Sequence, residues 1–314
     1  MKLGVVMDPI DSINFKKDSS LTILLEAQNR GHKLLYMEPQ SLFLREDGPY
    51  ALTQSVVVKD DQNGWYELSE KNETPLSKLD MIIMRQDPPF DQNYVYNTYV
   101  LEEAERKGVI VVNKPSSLRN CNEKVFVTQF PQCCTHFLVT SQNVLLKQFI
   151  EEHVDTVIKP LDGMGGSSIF RVRKTDPNIN VILETITQHS LTKVMIQKYI
   201  PEIIEGDKRI LMIDGEPMEA SIARVPPEGD FRGNLAVGAT AIAKSLSSRD
   251  IWICNQVAPK LKEFGLILVG LDVIGEYLTE INVTSPTCFR EYKNLCDIDV
   301  ASSFMDSLEE MLAT

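Results

Sequence analysis

From residue 159 to residue 172 the chain reads KPLDGMGGSSIFRV, and no other segment restricts the possible folds as strongly. The short run DTVIKP delivers Lys159 from a strand, and Gly163, Gly165 and Gly166 follow. A second strand, not a helix, comes next. Glycines let the backbone curl so that its N–H groups point at phosphate oxygens, and a lysine adds a compact positive charge. A dinucleotide-binding fingerprint would need its third glycine at Ser168 and a helix after it, and a P-loop would need Gly-Lys-Ser/Thr. Neither pattern is present. Two readings stay open: a phosphate-binding loop using Lys159, Gly163, Gly165, Gly166 and Ser167, or a glycine-rich hairpin turn.

On either side of this segment the pattern changes character. The first third alternates: strand LGVVMD, a helix from Ser19 to Gly31, strands HKLLYME and LDMIIMRQD, a helix from Tyr94 to Gly108, then VIVVN. Strand–helix–strand spacing predicts a parallel α/β sheet whose functional edge lies at the strand C-terminal ends. Asp8 and Arg85-Gln86-Asp87 fall at such ends, as functional groups or as ordinary polar strand exits. Asn113-Lys114-Pro115 breaks the pattern, and a helix is expected over 116–130, carrying Lys124. From about residue 135 short strands separated by turn residues predict antiparallel sheets. Residues 226–241 (PPEGDFRGNLAVGATA) form a Pro- and Gly-rich loop with little periodicity, which suits a lid. A helix over 249–264, two strands and a terminal helix complete the chain.

The expected class is therefore α/β with α+β elements, divided into 1–121, 122–201 and 202–314. A chain of 314 residues accommodates two or three joined units. Its formal charge of −12, from 32 basic and 44 acidic residues, repels phosphate backbones and argues against nucleic acid as a partner. An anionic nucleotide must then be met by a few local cations. No stretch approaches the roughly 20 apolar residues of a membrane span, and the apolar run before Asp8 is too short for a signal peptide, so no membrane partner and a cytoplasmic location are expected. The six cysteines show no CxxC pair, which suits free thiols in a reducing compartment.

A second chemistry-bearing cluster lies near the C-terminus. Glu280 and Asn282 are two apart and share one strand face. Asp272 joins them if the hairpin pairs it with Glu280, which calls for a three-residue connection at Gly275-Glu276-Tyr277. A two-residue turn would put Asp272 on the opposite face. Hard oxygen donors of this kind suit Mg²⁺ that also touches nucleotide phosphates; the alternative is a solvated acidic face. Lys208-Arg209 and Arg224 lie on strands between the two clusters. Neither HExxH nor GxSxG occurs, so a histidine metal site or a hydrolase triad finds no support.

Taken in order, MDPI (7–10), KKDSS (16–20), MRQDPPFD (84–91), VNKPSSLRNCNEK (112–124), KPLDGMGGSSIFRV (159–172), GDKRILMIDGEP (206–217) and LTEINVTSPTC (278–288) resemble the ATP-grasp superfamily, and within it the bacterial glutathione synthetases. The resemblance covers almost the whole chain. It implies an ATP-dependent carboxylate–amine ligase with ATP between two antiparallel sheets. Adenine would lie at Gln197, Lys198, Tyr199 and Ile200, ribose at Asp207, and the phosphates at Lys124, Lys159 and the glycine loop. Mg²⁺, or Mn²⁺ in its place, would be bound by Asp272, Glu280 and Asn282. Arg209 and Arg224 would be catalytic, and Ser285 and Arg85 would contact substrate. The implied substrates are γ-glutamylcysteine, glycine and ATP, and the implied assembly is a homotetramer. Ala239-Thr240-Ala241-Ile242 departs from the family pattern after Arg232-Gly233-Asn234, as does the segment from Gln132 to Phe137. The rival readings are another ATP-grasp ligase, of the D-alanine–D-alanine or glutamate-adding type, and an ATP-binding regulatory module without turnover.

Overall fold

In the computed structural model, which describes residues 1–313 apart from the side chain of Ala236, three sheets carry the chain. The first contains β1 (Lys2–Met7), β2 (Lys33–Met37), β3 (Leu42–Arg45), β4 (Gly48–Val58), β5 (Tyr66–Leu68), β6 (Asn72–Pro75), β7 (Met81–Arg85) and β8 (Ile110–Val112). Its main order is β3-β4-β2-β1-β7-β8, with β5 and β6 also on β4. The stretch β2-β1-β7-β8 is parallel, as expected. Every residue of β7 is buried, the signature of a strand covered on both faces. Helices α1 (Ser19–Asn29) and α2 (Gln92–Arg106) make the crossovers, and each is started by an aspartate: Asp18 accepts from Leu21 N, and Asp91 from Tyr94 N. Asp8 and Arg85 sit at the C-terminal edge, where the sequence put them. The antiparallel extension β3–β6 was not foreseen. Its strands are short or alternate between buried and exposed residues, with no helix between them to signal the pairing.

The expected helix over 116–130 is broken. Helix α3 (Pro115–Asn120) stops early because the Asn122 side chain accepts from Lys124 N at 3.1 Å and Val125 N at 3.0 Å, closing a turn the helix cannot continue through. Lys124 is thus on a turn, not a helix. The second sheet holds β9 (Phe137–Thr140), β10 (Asp155–Pro160), β11 (Phe170–Arg173) and β12 (Val194–Lys198) in the order β11-β10-β12-β9, all antiparallel. Helices α4 (Asn143–His153) and α5 (Ile179–Ile186) cover one face and enclose a small core around Leu146, Ile158, Leu183 and Ile196.

The third sheet holds β13 (Asp207–Ile213), β14 (Glu216–Pro217), β15 (Ala220–Val225), β16 (Thr240–Ser245), β17 (Leu268–Ile274) and β18 (Tyr277–Asn282), with β14 on β13 and the rest ordered β16-β15-β13-β17-β18. The loop expected to reach 241 ends at Ala239, since Thr240 and Ala241 already pair with Val225 and Arg224. Helices α6 (Ser248–Glu263), α7 (Phe289–Cys296) and α8 (Val300–Ala313) follow. This sheet shares continuous cores with the first: Leu211 and Ile222 pack with Leu3, Val5 and Phe304, and Met212 and Leu271 with Val6 and Met84. Asn113 fastens the two together. Its Nδ2 donates to the carbonyls of Leu268 and Val283, and its Oδ1 accepts from Ile267 N and Leu268 N. Among the described residues all six cysteines are free thiols, and no helix is long and apolar enough to cross a membrane.

Candidate active site

The β17–β18 hairpin settles the register of the carboxylate cluster by a route the sequence did not suggest. Ile274 pairs with Tyr277, so the turn Gly275-Glu276 has two residues, not three. A β-bulge then leaves Thr279 unpaired, and Asp272 faces Glu280 after all, with Gly270 opposite Asn282. The bulged Thr279 donates from Oγ1 to the Asp272 carbonyl at 3.1 Å and offers its own carbonyl to Lys159 Nζ at 3.1 Å. One inserted residue therefore restores the register and anchors a lysine from the opposite sheet.

Cations fill the space around these carboxylates. Arg209 grips Asp272 with two bonds, Nε to Oδ1 at 2.6 Å and Nη2 to Oδ2 at 3.1 Å. Arg224 Nη2 reaches Asp272 Oδ2 at 2.9 Å and also pairs with Asp207. Lys124 Nζ bonds Glu280 Oε1 at 2.8 Å and the Gly163 carbonyl at 2.6 Å. Burial pushes the Asp272 pKa up, but Arg209 and Arg224 outweigh it and hold the group well below the usual carboxylate range. Glu280 is lowered in the same way, with Lys124 and Lys159 overriding its burial. Burial depresses Lys159 and pushes Asp207 up to about 6, despite Arg224 beside it. Four cations, Lys124, Lys159, Arg209 and Arg224, thus confront four carboxylates, Glu123, Asp207, Asp272 and Glu280. In a chain of formal charge −12 this cluster is formally balanced, with as many cations as carboxylates.

The glycine-rich loop and the long loop meet over this cluster. Arg232 Nη1 donates to the Gly166 carbonyl at 3.4 Å. A Cβ on Gly166, whose φ is +81°, would lie 2.5 Å from Asn234 Oδ1, and one on Gly233 would lie 2.8 Å from the Arg224 carbonyl. Only glycine permits that closeness at both points. Below the loops is a cavity of about 320 Å³, lined by Lys124, Lys159, Gly163, Gly165, Gly166, Ser167, Gln197, Lys198, Tyr199, Ile200, Asp207, Arg209, Arg224, Asp272, Glu280, Asn282 and Ser285. Among the described residues two buried polar atoms on its wall, Gln197 Nε2 and Asp207 Oδ1, have no partner, as expected where a ligand supplies one.

Oxygen donors for a hard divalent cation are in place. Asn282 donates its Nδ2 to the Gly270 carbonyl at 3.1 Å, which leaves Oδ1 for a cation, and it shares a face with the two ionised carboxylates. Asp272, Glu280 and Asn282 fit Mg²⁺ on that chemistry. Arg85 does not join the cavity wall: it is buried behind it, and its carbonyl accepts from Ser285 Oγ at 3.4 Å.

Sequence reasoning missed Glu123. Its carboxylate accepts from Val283 N, Thr284 N and Thr284 Oγ1, and its carbonyl accepts from Ile281 N, so it ties the Lys124 turn to β18. The adjacency of Glu123 and Lys124 was its only local signal. Asp87, Thr279 and Thr284 also line the cavity.

Fold and site together define a protein of the ATP-grasp class. The fold is similar to that of a D-cycloserine synthetase (TM-score 0.71, 13% identity, covering 99% of each chain) and of a D-alanyl-alanine synthetase A from Vibrio cholerae (TM-score 0.60, 11% identity, covering 100% of this chain and 99% of the other). At the sequence level, family models for the prokaryotic glutathione synthetase N-terminal domain and ATP-grasp domain match residues 1–119 and 123–297. Glutathione synthetases of Pseudomonas aeruginosa (54% identical, 100% of this chain and 99% of that protein) and Escherichia coli (50% identical, 99% of each) are similar from end to end. The chain belongs to the prokaryotic glutathione synthetase family.

Proposed function

We infer that this chain is a glutathione synthetase, an ATP-dependent ligase that joins γ-glutamylcysteine to glycine and releases ADP and phosphate. The observation that carries this reading is one cavity in which a glycine loop from the second sheet faces a carboxylate–cation cluster from the third. Phosphoryl transfer needs positioning and charge neutralisation rather than a protein nucleophile, and this cavity holds cations and carboxylates suited to both.

In the proposed mechanism, Gln197, Lys198, Tyr199 and Ile200 receive the adenine and Asp207 the ribose hydroxyls. Lys124, Lys159 and the loop carrying Gly163, Gly165, Gly166 and Ser167 hold the phosphates. Asp272, Glu280 and Asn282 would hold Mg²⁺, with Mn²⁺ an alternative occupant, and the ion when bound would neutralise charge on the phosphates. An oxygen of the cysteinyl carboxylate attacks the γ-phosphorus and ADP departs, leaving an acyl phosphate. Arg209 and Arg224 steady the transferring phosphoryl group and then the tetrahedral oxyanion formed when the glycine amine attacks the carbonyl carbon. Phosphate leaves with one oxygen of the original carboxylate. The acyl phosphate must be shielded from water, and the contact between Arg232 and Gly166 supports a lid role for the long loop. Ser285 is proposed for the peptide substrate, and Arg85, expected to join it, is proposed to act from behind the wall by holding Ser285 through its carbonyl.

We take residues 1–121, 122–201 and 202–314 as the structural units, each supported by its own sheet. Family resemblance alone supports a homotetramer, which sedimentation would test, and the proposed cytoplasmic location rests on the sequence reading. For the activity itself, ADP release is measured with γ-glutamylcysteine and glycine supplied separately and together. Release that needs both supports the assignment, and release independent of γ-glutamylcysteine sinks it.

A further inference from the structure

Strand β18 carries Glu280 and Asn282, yet it is the last strand of its sheet. An edge strand leaves its outer N–H and C=O groups without a neighbouring strand to pair with. Here alternate residues along that edge find partners outside the sheet. The Thr279 carbonyl accepts from Lys159 Nζ at 3.1 Å. Ile281 N donates to the Glu123 carbonyl at 2.9 Å, and Val283 N to Glu123 Oε1 at 3.0 Å. Thr284 adds its N at 3.1 Å and its Oγ1 at 2.8 Å on the same oxygen. One residue, Glu123, thus stands in for most of the missing strand.

Glu123 also differs from the other three carboxylates of the cluster. Asp207, Asp272 and Glu280 each pair with a lysine or an arginine, whereas Glu123 forms no ion pair among the described residues. Its side-chain donors are two backbone N–H groups and a hydroxyl, so these bonds fix a position rather than balance a charge. Next to it in the chain, Lys124 holds the Glu280 carboxylate and the Gly163 carbonyl. A single turn therefore sets the lysine, the β18 edge and the start of the Thr284-Ser285 wall in one piece.

We propose that Glu123 is a positioning residue, which registers Glu280, Asn282 and the Thr284-Ser285 wall against Lys124. It contacts no reacting atom. The proposal deepens the ligase reading, and rests on it for the part played by turnover.

The test separates holding from folding. In Glu123→Ala, hydrogen exchange at the amides of 281, 283 and 284 should accelerate by roughly tenfold or more, with β13 still protected. ADP alone should bind as it does to wild type, because the adenine segment Gln197 to Ile200 lies on the second sheet. The gain in ADP affinity on adding Mg²⁺ should shrink by roughly tenfold. Turnover should fall about 30- to 100-fold, since small misplacements of reacting groups cost that much. Glu123→Gln, which keeps an oxygen acceptor at the same reach, should bring kcat back to within about fivefold of wild type. Thr284→Val, which removes one donor, should lose about two- to fivefold.

A merely structural role would lower the melting temperature and leave kcat and the Mg²⁺ gain of the folded variants unchanged, and that result overturns the proposal. So does a Glu123→Gln as impaired as Glu123→Ala, because charge would then matter rather than grip. If Glu123→Ala does not fold, Thr284→Val decides: exchange at 283 and 284 and turnover both equal to wild type would also overturn it. A wild type that makes no glutathione removes the ligase reading instead, and leaves the exchange and ADP measurements to judge Glu123.

Discussion

The second sheet and the third face each other across the cavity, but they are built differently. The third shares two continuous cores with the first and is fastened to it by the four bonds of Asn113. The second encloses a small core of its own with α4 and α5, and Met195 is its one fully buried contribution to the larger core. Regions with fewer shared buried contacts open at lower free energy. The carboxylates and arginines, whose charges need fixed geometry, stand on the well-anchored side. The glycine loop, which is proposed to admit and release a nucleotide, hangs from the less anchored one.

The largest effect should come from the anchored side. Glu280→Gln keeps shape but removes the charge that pairs with Lys124, and turnover should fall by about 10³-fold or more with an unchanged circular dichroism spectrum. Near-normal rates would remove the metal role. Truncating one core residue on each side tests the comparison itself. Leu271→Ala and Leu183→Ala should each cost about 2–5 kcal/mol locally. Hydrogen exchange should show the first loosening the whole body and the second loosening only residues 137–198. Equal spread in both variants would break the distinction.

Asp207 gives a pH signature on the anchored side. Its folded pKa, about 6, lies above the ordinary 3.8. Between those values the folded chain keeps a proton that the unfolded chain has lost, so this group's contribution is complete below about pH 3.8 and is lost as pH rises through 6, by at most about 3 kcal/mol. Urea midpoints across pH 4–7 should decline less steeply in Asp207→Asn than in wild type. A smaller effect is expected at the loop contact. Gly166→Ala forces a Cβ toward Asn234 at a positive φ, and the KM for ATP should rise roughly tenfold while the melting temperature moves little.

What the sequence disclosed follows from range. Lys159 and its glycines, or Glu280 and Asn282, are close in the chain, and local spacing fixes their shared face. The pairing of Asp272 with Glu280 was legible only as a condition. The bulge at Thr279 that fulfils it leaves no mark in the residue pattern. Glu123 was missed because its carboxylate bonds span about 160 residues. The break at Asn122 was hidden for another reason: an asparagine is equally at home in a solvated helix and in a turn, and only its bonds to Lys124 and Val125 decide. Arg85 was placed at the right strand end, but its burial behind Ser285 depends on how the first and third sheets meet.

The central claim, activation of a peptide carboxylate on the cation cluster, has a direct test in oxygen tracing. With γ-glutamylcysteine carrying ¹⁸O in the cysteinyl carboxylate, together with glycine and ATP, an acyl phosphate route delivers one ¹⁸O into the released phosphate for each glutathione formed. Phosphate that emerges unlabelled while glutathione accumulates would contradict the account.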